Sequence, residues 1–240
     1  MNAYAPSAAF FDLDRTLIRG SANFALAWEA FKAGQVPKRQ LAKDAVNALS
    51  FIFAGASDNR SERLRERILR AIAGVPVVDL ESLGDRFIPR LARTVMPEAR
   101  TELDRQAAAG RDRIIVSASP IEIVGRLAKM IGMEGAVATT AEITDGRYTG
   151  QLVGPFCYGE GKVAAIEQLA SERGYDLNEC VAYSDSISDL PLLESVGEAV
   201  VINPDRELRK IAPKRGWRIV EVGKRASRAA RRATPRSLGQ

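Results

Sequence analysis

Two carboxylates near the amino terminus are the residues best placed to do chemistry. Asp12 and Asp14 follow segment 8–11, an apolar run that is predicted to form a buried strand. Side chains alternate along an extended chain, so the two carboxylates are expected on the same side. Like charges so close are unfavourable unless a cation lies between them or one carboxyl keeps its proton. The pair therefore indicates a functional site, although segment 12–16 taken alone also fits an Asx-turn after a strand.

Further polar residues follow in an order that supports the functional interpretation. Each lies where a predicted strand ends or a predicted helix begins: Ser117 after 114–116, Lys162 before 163–169, and Asp185 and Asp189 after 181–183. Taken singly, the serine and the aspartates fit helix caps, and the lysine fits a solvated helix start. Their common position at the ends of elements favours one shared site.

The elements that position these residues alternate between strands and helices. Strand-like runs occur at 8–11, 113–116, 136–139, 180–183, 199–202 and 217–220, with helix-like runs such as 97–109 and 121–131 between them. This alternation predicts an α/β fold with a doubly wound parallel sheet that is covered on both faces. Ligands bind such sheets outside the carboxyl ends of the strands, so Asp12, Ser117 and Asp185 are expected to line one pocket.

Two segments depart from this alternation. Residues 19–90 carry helical patterns at 22–33, 39–53 and 61–73 with little strand signal, which predicts a helical cap inserted after the first strand. Within it, segment 51–53 either lines the pocket or forms the cap's own core, and the second reading is favoured. Asp145-Gly146 within segment 141–152 predicts a β-hairpin that projects near the site as a short flap.

Composition indicates an enzyme of ordinary globular type. The chain has 240 residues, 46% of them hydrophobic, and no run approaches the uninterrupted apolar length of a membrane span. The first residues lack the basic and apolar regions of a signal peptide. Cys157 and Cys180 are too few for a disulfide framework and are expected to be reduced thiols. We therefore expect the protein in the cytoplasm.

The absence of histidine and the distribution of charge narrow the chemistry further. A chain with no histidine has no Ser-His-Asp or Cys-His triad, so acid–base work falls to carboxylates. The net charge of +5 is concentrated towards the carboxyl terminus, where residues 223–240 are predicted to form a flexible basic tail. A solvated tail is favoured over one that contacts anionic lipid or nucleic acid, since no aromatic residues are interleaved with the bases.

The four elements taken together resemble the haloacid dehalogenase (HAD) superfamily. The D-x-D-x-T segment, the apolar run ending in Ser117, Lys162, and the D-x-x-x-D pair of Asp185 and Asp189 occur in the order typical of that superfamily. The long segment between the first two elements resembles subfamily IB, the phosphoserine phosphatase-like branch. The resemblance covers about residues 8–205.

The resemblance implies a division of the chain into three parts. Residues 1–18 and 91–222 are expected to form a HAD-like Rossmannoid core, and residues 19–90 the inserted helical cap. The remaining residues, 223–240, are the basic tail.

The resemblance also implies roles for the carboxylates. Asp12 would attack phosphorus and become an aspartyl-phosphate. Asp14 would protonate the leaving alcohol and later activate water, which requires a raised pKa. Asp12, the backbone carbonyl of Asp14 and Asp185 would form a metal site for Mg²⁺, a hard cation that suits oxygen ligands.

The remaining residues of the motifs are expected to bind phosphate or to support the site. Ser117 and the backbone amide of Ala118 would hold phosphate oxygens, and Lys162 would offset the clustered negative charge. Asp189 would orient Lys162 or a metal-bound water. Thr16 is expected to fix the turn after the nucleophile.

Three departures from the pattern of phosphoserine phosphatases bear on the substrate. Ser21 occupies the position where those enzymes typically have the glutamate that grips the substrate's amino group. Ser188 replaces the asparagine that helps to hold phosphate, and Arg15 stands where serine is frequent. The catalytic carboxylates remain, so the departures argue against phosphoserine as substrate rather than against catalysis.

We therefore predict a Mg²⁺-dependent phosphatase, a phosphomonoesterase that acts on a small-molecule phosphate ester. A lipid-derived phosphate is included among the substrates. The alternative is a catalytically idle HAD-like protein that binds a phosphorylated ligand or a partner, which the retained pair of Asp12 and Asp14 disfavours. Phosphotransferase chemistry also stays open, as does phosphonate cleavage, which needs an imine-forming lysine in the cap, the candidates being Lys32, Lys38 and Lys43.

Overall fold

A six-stranded parallel sheet forms the centre of the molecule. The computed structural model describes residues 6–32, 65–66, 69–70, 72–221 and 223. The sheet strands are β1 (Ala8–Asp12), β2 (Asp112–Pro120), β3 (Gly135–Thr139), β6 (Val181–Ser184), β7 (Glu198–Ile202) and β8 (Arg218–Val220). Their spatial order is β3-β2-β1-β6-β7-β8. This confirms the predicted doubly wound parallel sheet, and every predicted strand is present.

Helices cover the sheet. They are α1 (Ala22–Lys32), α2 (Val77–Ala92), α3 (Pro97–Ala108), α4 (Ile121–Met130), α5 (Glu160–Arg173), α6 (Leu190–Glu194) and α7 (Arg206–Ile211). Helix α3 begins at Pro97, whose fixed φ suits the first turn, and α5 ends at Gly174, which adopts the left-handed conformation with φ of 71°. The predicted helices 97–109 and 121–131 are therefore confirmed to within one residue.

The central strand β1 explains why the two apolar faces of the sheet both form. Phe11 belongs to the core cluster that includes residues of α2, α3 and α4, whereas its neighbour Phe10 belongs to the cluster with α5, α6 and α7. Adjacent side chains of a strand point to opposite faces, so a strand buried on both faces reads as a continuous apolar run. The ring of Phe11 stacks on that of Tyr183 in β6, with centroids 4.1 Å apart.

Strand register brings the carboxyl ends of three strands together. Phe11 of β1 is paired with Ile115 of β2 on one side and with Tyr183 of β6 on the other. The polar residues that follow these strands therefore emerge at the same edge, where β1 separates the two halves of the sheet.

Helix α2 packs closely on α4. A Cβ added at Gly84 would lie 3.0 Å from Arg126 Nη1 and 3.2 Å from Ile123 Cδ1, so these side-chain ends would have to move by a few tenths of an ångström. Arg126 also donates to the carbonyl of Glu81 and pairs with the Asp85 carboxylate.

A hairpin made of β4 (Ala141–Thr144) and β5 (Arg147–Leu152) lies outside the main sheet. Its turn contains Asp145 with φ of 50° and Gly146 with φ of 71°, as the Asp-Gly pair predicts. The hairpin is hydrogen bonded to segment 74–77, because Tyr148 N donates to Val75 O and Val77 N to Gly146 O. The short flap is thus attached to the segment that leads into α2.

Parts of the predicted cap lie outside the described residues. These are the helix expected at 39–53 with its apolar segment 51–53, most of the helix expected at 61–73, and Lys38 and Lys43. The basic tail also lies outside them, apart from Gly223. Within the described ranges, no helix combines the length and the apolar character that crossing a membrane requires.

Candidate active site

The site begins where β1 ends. The strand stops at Asp12, and a tight turn follows in which Arg15 has a φ of 62° and its N–H donates to Gly20 O over 3.1 Å. Positive φ is unfavourable for a side chain as large as arginine, so tertiary contacts must hold the turn. Leu13 and Leu17, both fully buried, supply such contacts on either side of the turn. Asp14 is thereby presented just beyond the edge of the sheet.

Lys162 lies at the centre of the site. Its Nζ is 2.6 Å from Asp12 Oδ1 and 2.8 Å from Asp189 Oδ2, and its side chain is only 3% exposed. The Ser184 hydroxyl donates to the same Asp189 oxygen over 2.6 Å. Lys162 is therefore a buried cation between two carboxylates, and neither it nor Asp189 is solvated. Asp189 stands at the amino end of α6 without making a side-chain cap.

The approach of Lys162 to Asp12 depends on the glycines before it. Gly159 has a φ of 53° and ψ of −124°, a combination that side-chain-bearing residues avoid. A Cβ added at Gly161 would lie 1.9 Å from the carbonyl oxygen of Phe156. Glycine at 161 therefore lets the first turn of α5 lie against the preceding loop, which places Lys162 in the site.

Asp14 is held by the start of α1. The Ser21 hydroxyl donates to Asp14 Oδ2 over 2.7 Å, and the Ala22 N–H donates to Asp14 Oδ1 over 2.8 Å. Both carboxylate oxygens thus have a donor from the residues that open the first helix. Ser21 O also accepts from Ala25 N, so Ser21 is part of the helix start as well as a partner of Asp14.

Asp185 is buried at the end of β6 and pairs with Arg15. Arg15 Nε lies 3.0 Å from Asp185 Oδ2, and the side chains are 47% and 5% exposed, respectively. The loop that carries Asp185 is fixed by Asp205, whose N–H donates to Asp185 O over 2.7 Å and whose carboxylate accepts from Ile187 N over 2.7 Å. Asp205 Oδ1 also caps α7, so one residue joins the loop to the helix.

Ser117 and Ala118 belong to the end of β2. The Ser117 hydroxyl is buried and accepts from Ser119 N over 3.2 Å. Ser117 is not the cap of α4, because Pro120 precedes that helix without a side-chain capping bond. Thr16 is fully buried, and its hydroxyl has no hydrogen-bond partner within the described part of the chain.

Burial and charge explain the unusual acidities of the site. Burial raises the pKa of Asp12 to about 6, although Lys162 opposes the shift. Burial also raises the pKa of Asp14, against the opposing hydrogen bonds from Ala22 and Ser21. The pKa of Asp185 is raised well above its ordinary value by burial and by repulsion from Asp12, and Arg15 acts against that rise. Burial alone would lower the pKa of the Lys162 ammonium, but Asp12 and Asp189 outweigh it and raise the pKa.

The raised pKa values of Asp12 and Asp185 help to judge whether the site suits a divalent cation. Asp12 and Asp185 are buried carboxylates that repel each other, and a cation between them would remove both the repulsion and the proton uptake that burial favours. Among the residues that the structure describes, no three acidic, cysteine or histidine side chains are grouped as a complete metal site. The expected set needs only two carboxylates, because its third ligand is a backbone carbonyl. The donor chemistry therefore fits Mg²⁺, with water completing the shell.

Sequence reasoning gave Ser184 and Asp205 no role in this site, and it noted Ser21 only as a departure from the substrate-binding glutamate. Ser184 holds Asp189, Asp205 holds the loop of Asp185, and Ser21 holds Asp14. The position of Asp205 before the helical pattern 206–211 is a local capping signal that could have been noticed. The contacts of Ser184 and Ser21 depend on tertiary structure, and no local pattern indicates them.

The chain is similar in sequence to a known protein family and to two named proteins. The model of the haloacid dehalogenase-like hydrolase family matches residues 9–194, most of the chain. A protein of Mycobacterium tuberculosis named as a probable phosphatase is 41% identical over 224 residues, which cover 93% of this chain and 78% of that protein. A second protein of that organism, named phosphoserine phosphatase SerB1, is 35% identical over 241 residues, covering 97% of this chain and 76% of its own length.

A solved structure shares the fold. A phosphoserine phosphatase described as a phospho-aspartyl intermediate analogue superimposes with a TM-score of 0.65 over 96% of this chain and all of the other, at 18% identity. At that identity the match supports the fold and leaves the activity to be argued from the site.

Proposed function

The chain belongs to the haloacid dehalogenase-like hydrolase family and is a phosphatase, and on that premise we propose that it hydrolyses a small phosphate monoester with Mg²⁺ through a phosphorylated Asp12. The observation that carries the proposal is the contact of Lys162 with both Asp12 and Asp189 at the carboxyl end of the sheet. A buried lysine shared by two carboxylates offsets one of their two negative charges, which lessens the repulsion that a phosphate dianion meets.

Asp12 is the proposed nucleophile. One of its oxygens is held by Lys162, which keeps the carboxylate in place and leaves the other oxygen to attack phosphorus. Attack forms the new phosphorus–oxygen bond on Asp12 as the bond to the leaving alcohol breaks. Water then displaces the phosphoryl group from Asp12 and regenerates the carboxylate.

Asp14 is the proposed general acid and base. Its raised pKa favours the protonated state that can give a proton to the leaving alcohol. The same carboxylate then accepts a proton from the attacking water. In the structure its oxygens face Ser21 and Ala22, so Asp14 would exchange these donors for the substrate when the ester binds.

The proposed metal ligands are Asp12, the carbonyl of Asp14 and Asp185. Bound Mg²⁺ would neutralise the charge of the carboxylates and orient the phosphoryl group. Asp189 and Thr16 are proposed to support the site, Asp189 by fixing Lys162. Ser117 and the Ala118 amide are proposed to bind the phosphoryl oxygens at the end of β2.

The proposed substrate is a small metabolite rather than phosphoserine. The Ser21 hydroxyl donates to Asp14, and the serine side chain is too short to reach an amino group as a glutamate would.

Residues 19–90 are proposed to form the cap that selects the leaving group, on a core of 1–18 and 91–222. The buried free thiols of Cys157 and Cys180 support a reducing compartment such as the cytoplasm.

The test is phosphate release from a panel of esters, with Mg²⁺ and with chelator. The panel includes phosphoserine, phosphoethanolamine, glycerol phosphate, a nucleoside monophosphate and p-nitrophenyl phosphate, with a phosphonate as a separate class. We expect Mg²⁺-dependent release that ranks phosphoserine below another ester. Equal turnover in chelator would contradict the metal requirement, and no release from any ester by folded protein would favour the ligand-binding alternative.

A further inference from the structure

Arg15 is the residue of the site that the proposed chemistry does not use. It follows Asp14 directly, yet its Nε turns back to lie 3.0 Å from Asp185 Oδ2. Its backbone is anchored independently, because its N–H donates to Gly20 O over 3.1 Å. The side chain can therefore leave Asp185 without any change in the turn that carries Asp14.

The charges around Asp185 give this contact its significance. The carboxylate is buried and faces the negative charges of Asp12, Asp189 and Asp205, while Arg15 is the cation that favours its ionised form. Lys162 is already shared by Asp12 and Asp189. The Arg15 guanidinium thus places beside Asp185 the positive charge that a bound divalent cation would otherwise place there.

The ion pair between Arg15 and Asp185 can be broken at a small energetic cost to the arginine. Arg15 is 47% exposed, whereas its partner is 5% exposed, so the guanidinium can return to water at small cost while the carboxylate cannot.

We propose that Arg15 is a positioning residue that holds Asp185 in the metal-free protein and competes with Mg²⁺ for it. The inference rests on the proposed function, because it takes Asp185 to be a metal ligand. The residue therefore sets the metal affinity of the site: it stabilises the empty state, and it must leave Asp185 when the cation binds.

Calorimetric titration of MgCl₂ into the chelator-treated full chain tests this directly. Arg15→Ala keeps a Cβ at the same positive-φ position, so the backbone strain is unchanged. We expect it to bind Mg²⁺ about two- to fivefold more tightly than the wild type, the scale of a half-exposed ion pair. Arg15→Gln, which keeps most of the side-chain volume, serves as the second variant and should behave alike.

Arg19→Ala is the matched control, since it removes the same charge from an exposed residue of the same turn. Its Mg²⁺ affinity should stay within about twofold of the wild type because its charge is screened by water. As a readout without titration, saturating Mg²⁺ should raise the melting temperature of Arg15→Ala more than that of the wild type or Arg19→Ala.

The outcomes separate the inference from the proposed function. Unchanged or weaker Mg²⁺ binding by folded Arg15→Ala and Arg15→Gln, beside normal binding by the wild type, overturns the role of Arg15 alone. Equal tightening in Arg19→Ala also overturns it, since net charge would then explain the effect. No Mg²⁺ binding by the wild type overturns both the metal site and the inference.

Discussion

The Ser21 hydroxyl donates a 2.7 Å hydrogen bond to Asp14 Oδ2, and this contact joins the start of α1 to the proposed acid–base residue. The resemblance to phosphoserine phosphatases implies that those enzymes have a substrate-binding glutamate at this position. Here the position is used inside the protein, on the carboxylate itself. The contact therefore links two properties that are otherwise separate, the acidity of Asp14 and the choice of leaving group.

Replacing Ser21 should change the pH dependence of turnover. The donor favours ionised Asp14 and opposes the effect of burial, so Ser21→Ala should raise the pKa of Asp14 further. The alkaline limb of the kcat/KM profile, which reports the acidity of Asp14 in the free enzyme, should then move to higher pH. The variant should also lose about 1 kcal/mol of stability, since Ser21 is a helix-start residue.

Ser21→Thr is the control for that prediction, because threonine keeps the hydroxyl. Its kcat/KM profile should match that of the wild type. A kcat/KM profile for Ser21→Ala that does not move would show that the hydrogen bond does not affect the acidity of Asp14 in the free enzyme.

Replacing the nucleophile should abolish turnover without unfolding the protein. Asp12→Asn is nearly isosteric and can still accept a hydrogen bond from Lys162, so the fold should persist. We expect kcat to fall by about 10³-fold or more, as when other nucleophiles are removed. Rapid acid quenching with ³²P-labelled ester should trap label on the wild type and none on the variant. Full activity of Asp12→Asn would refute the mechanism.

Removing the buried lysine should be costly, and the cost should depend on pH. Lys162→Met leaves Asp12 and Asp189 buried without their shared cation, a loss of about 3–5 kcal/mol in unfolding free energy at pH 8. At pH 5, below the raised Asp12 pKa of about 6, the Asp12 carboxyl is largely protonated and the loss should shrink. Urea denaturation in chelator at the two pH values measures this.

Lys210→Met is the matched control, because the ion pair of Lys210 within the described residues is with the exposed Glu207 on the surface. Its unfolding free energy should change by less than about 0.5 kcal/mol at either pH. A loss for Lys162→Met that is equally small would mean that the lysine is not needed to hold the carboxylates.

Asp185→Asn should stabilise the metal-free protein at high pH. The pKa of Asp185 is raised in the folded state, so the stability it contributes is present below its ordinary pKa of 3.8 and is lost as pH rises through the raised value. Asparagine does not titrate and avoids that loss. In chelator at pH 8 the variant should therefore melt at a higher temperature than the wild type.

Mg²⁺ should reverse the order, because it can stabilise only the protein that retains the ligand. Saturating Mg²⁺ should raise the melting temperature of the wild type and leave that of Asp185→Asn almost unchanged. Asp145→Asn is the control, since asparagine suits the exposed left-handed turn position that Asp145 occupies. An equal Mg²⁺-induced rise in Asp185→Asn would exclude Asp185 as a ligand.

Local patterns in the sequence were enough to predict the sheet and a short list of candidate site residues. Strands buried on both faces give uninterrupted apolar runs, and turns such as Asp145-Gly146 have strict residue requirements, so local patterns located most of these elements to within one or two residues. The exception is β2, which was predicted to end at residue 116 and continues to Pro120. Asp12, Lys162 and Asp189 stood out because each lies at the end of such an element.

Which of those side chains contact one another depends on the tertiary structure. Asp12 and Lys162 are 150 residues apart in sequence, and their 2.6 Å contact depends on the position of α5 against the sheet and on the space left by Gly161. The same holds for Arg15, which the sequence shows only as a departure from a frequent serine, although its guanidinium contacts Asp185 in the fold. Periodicity reports which face of its own element a residue occupies. The direction of a polar side chain in a shared pocket depends on every element around it, and that information is not local.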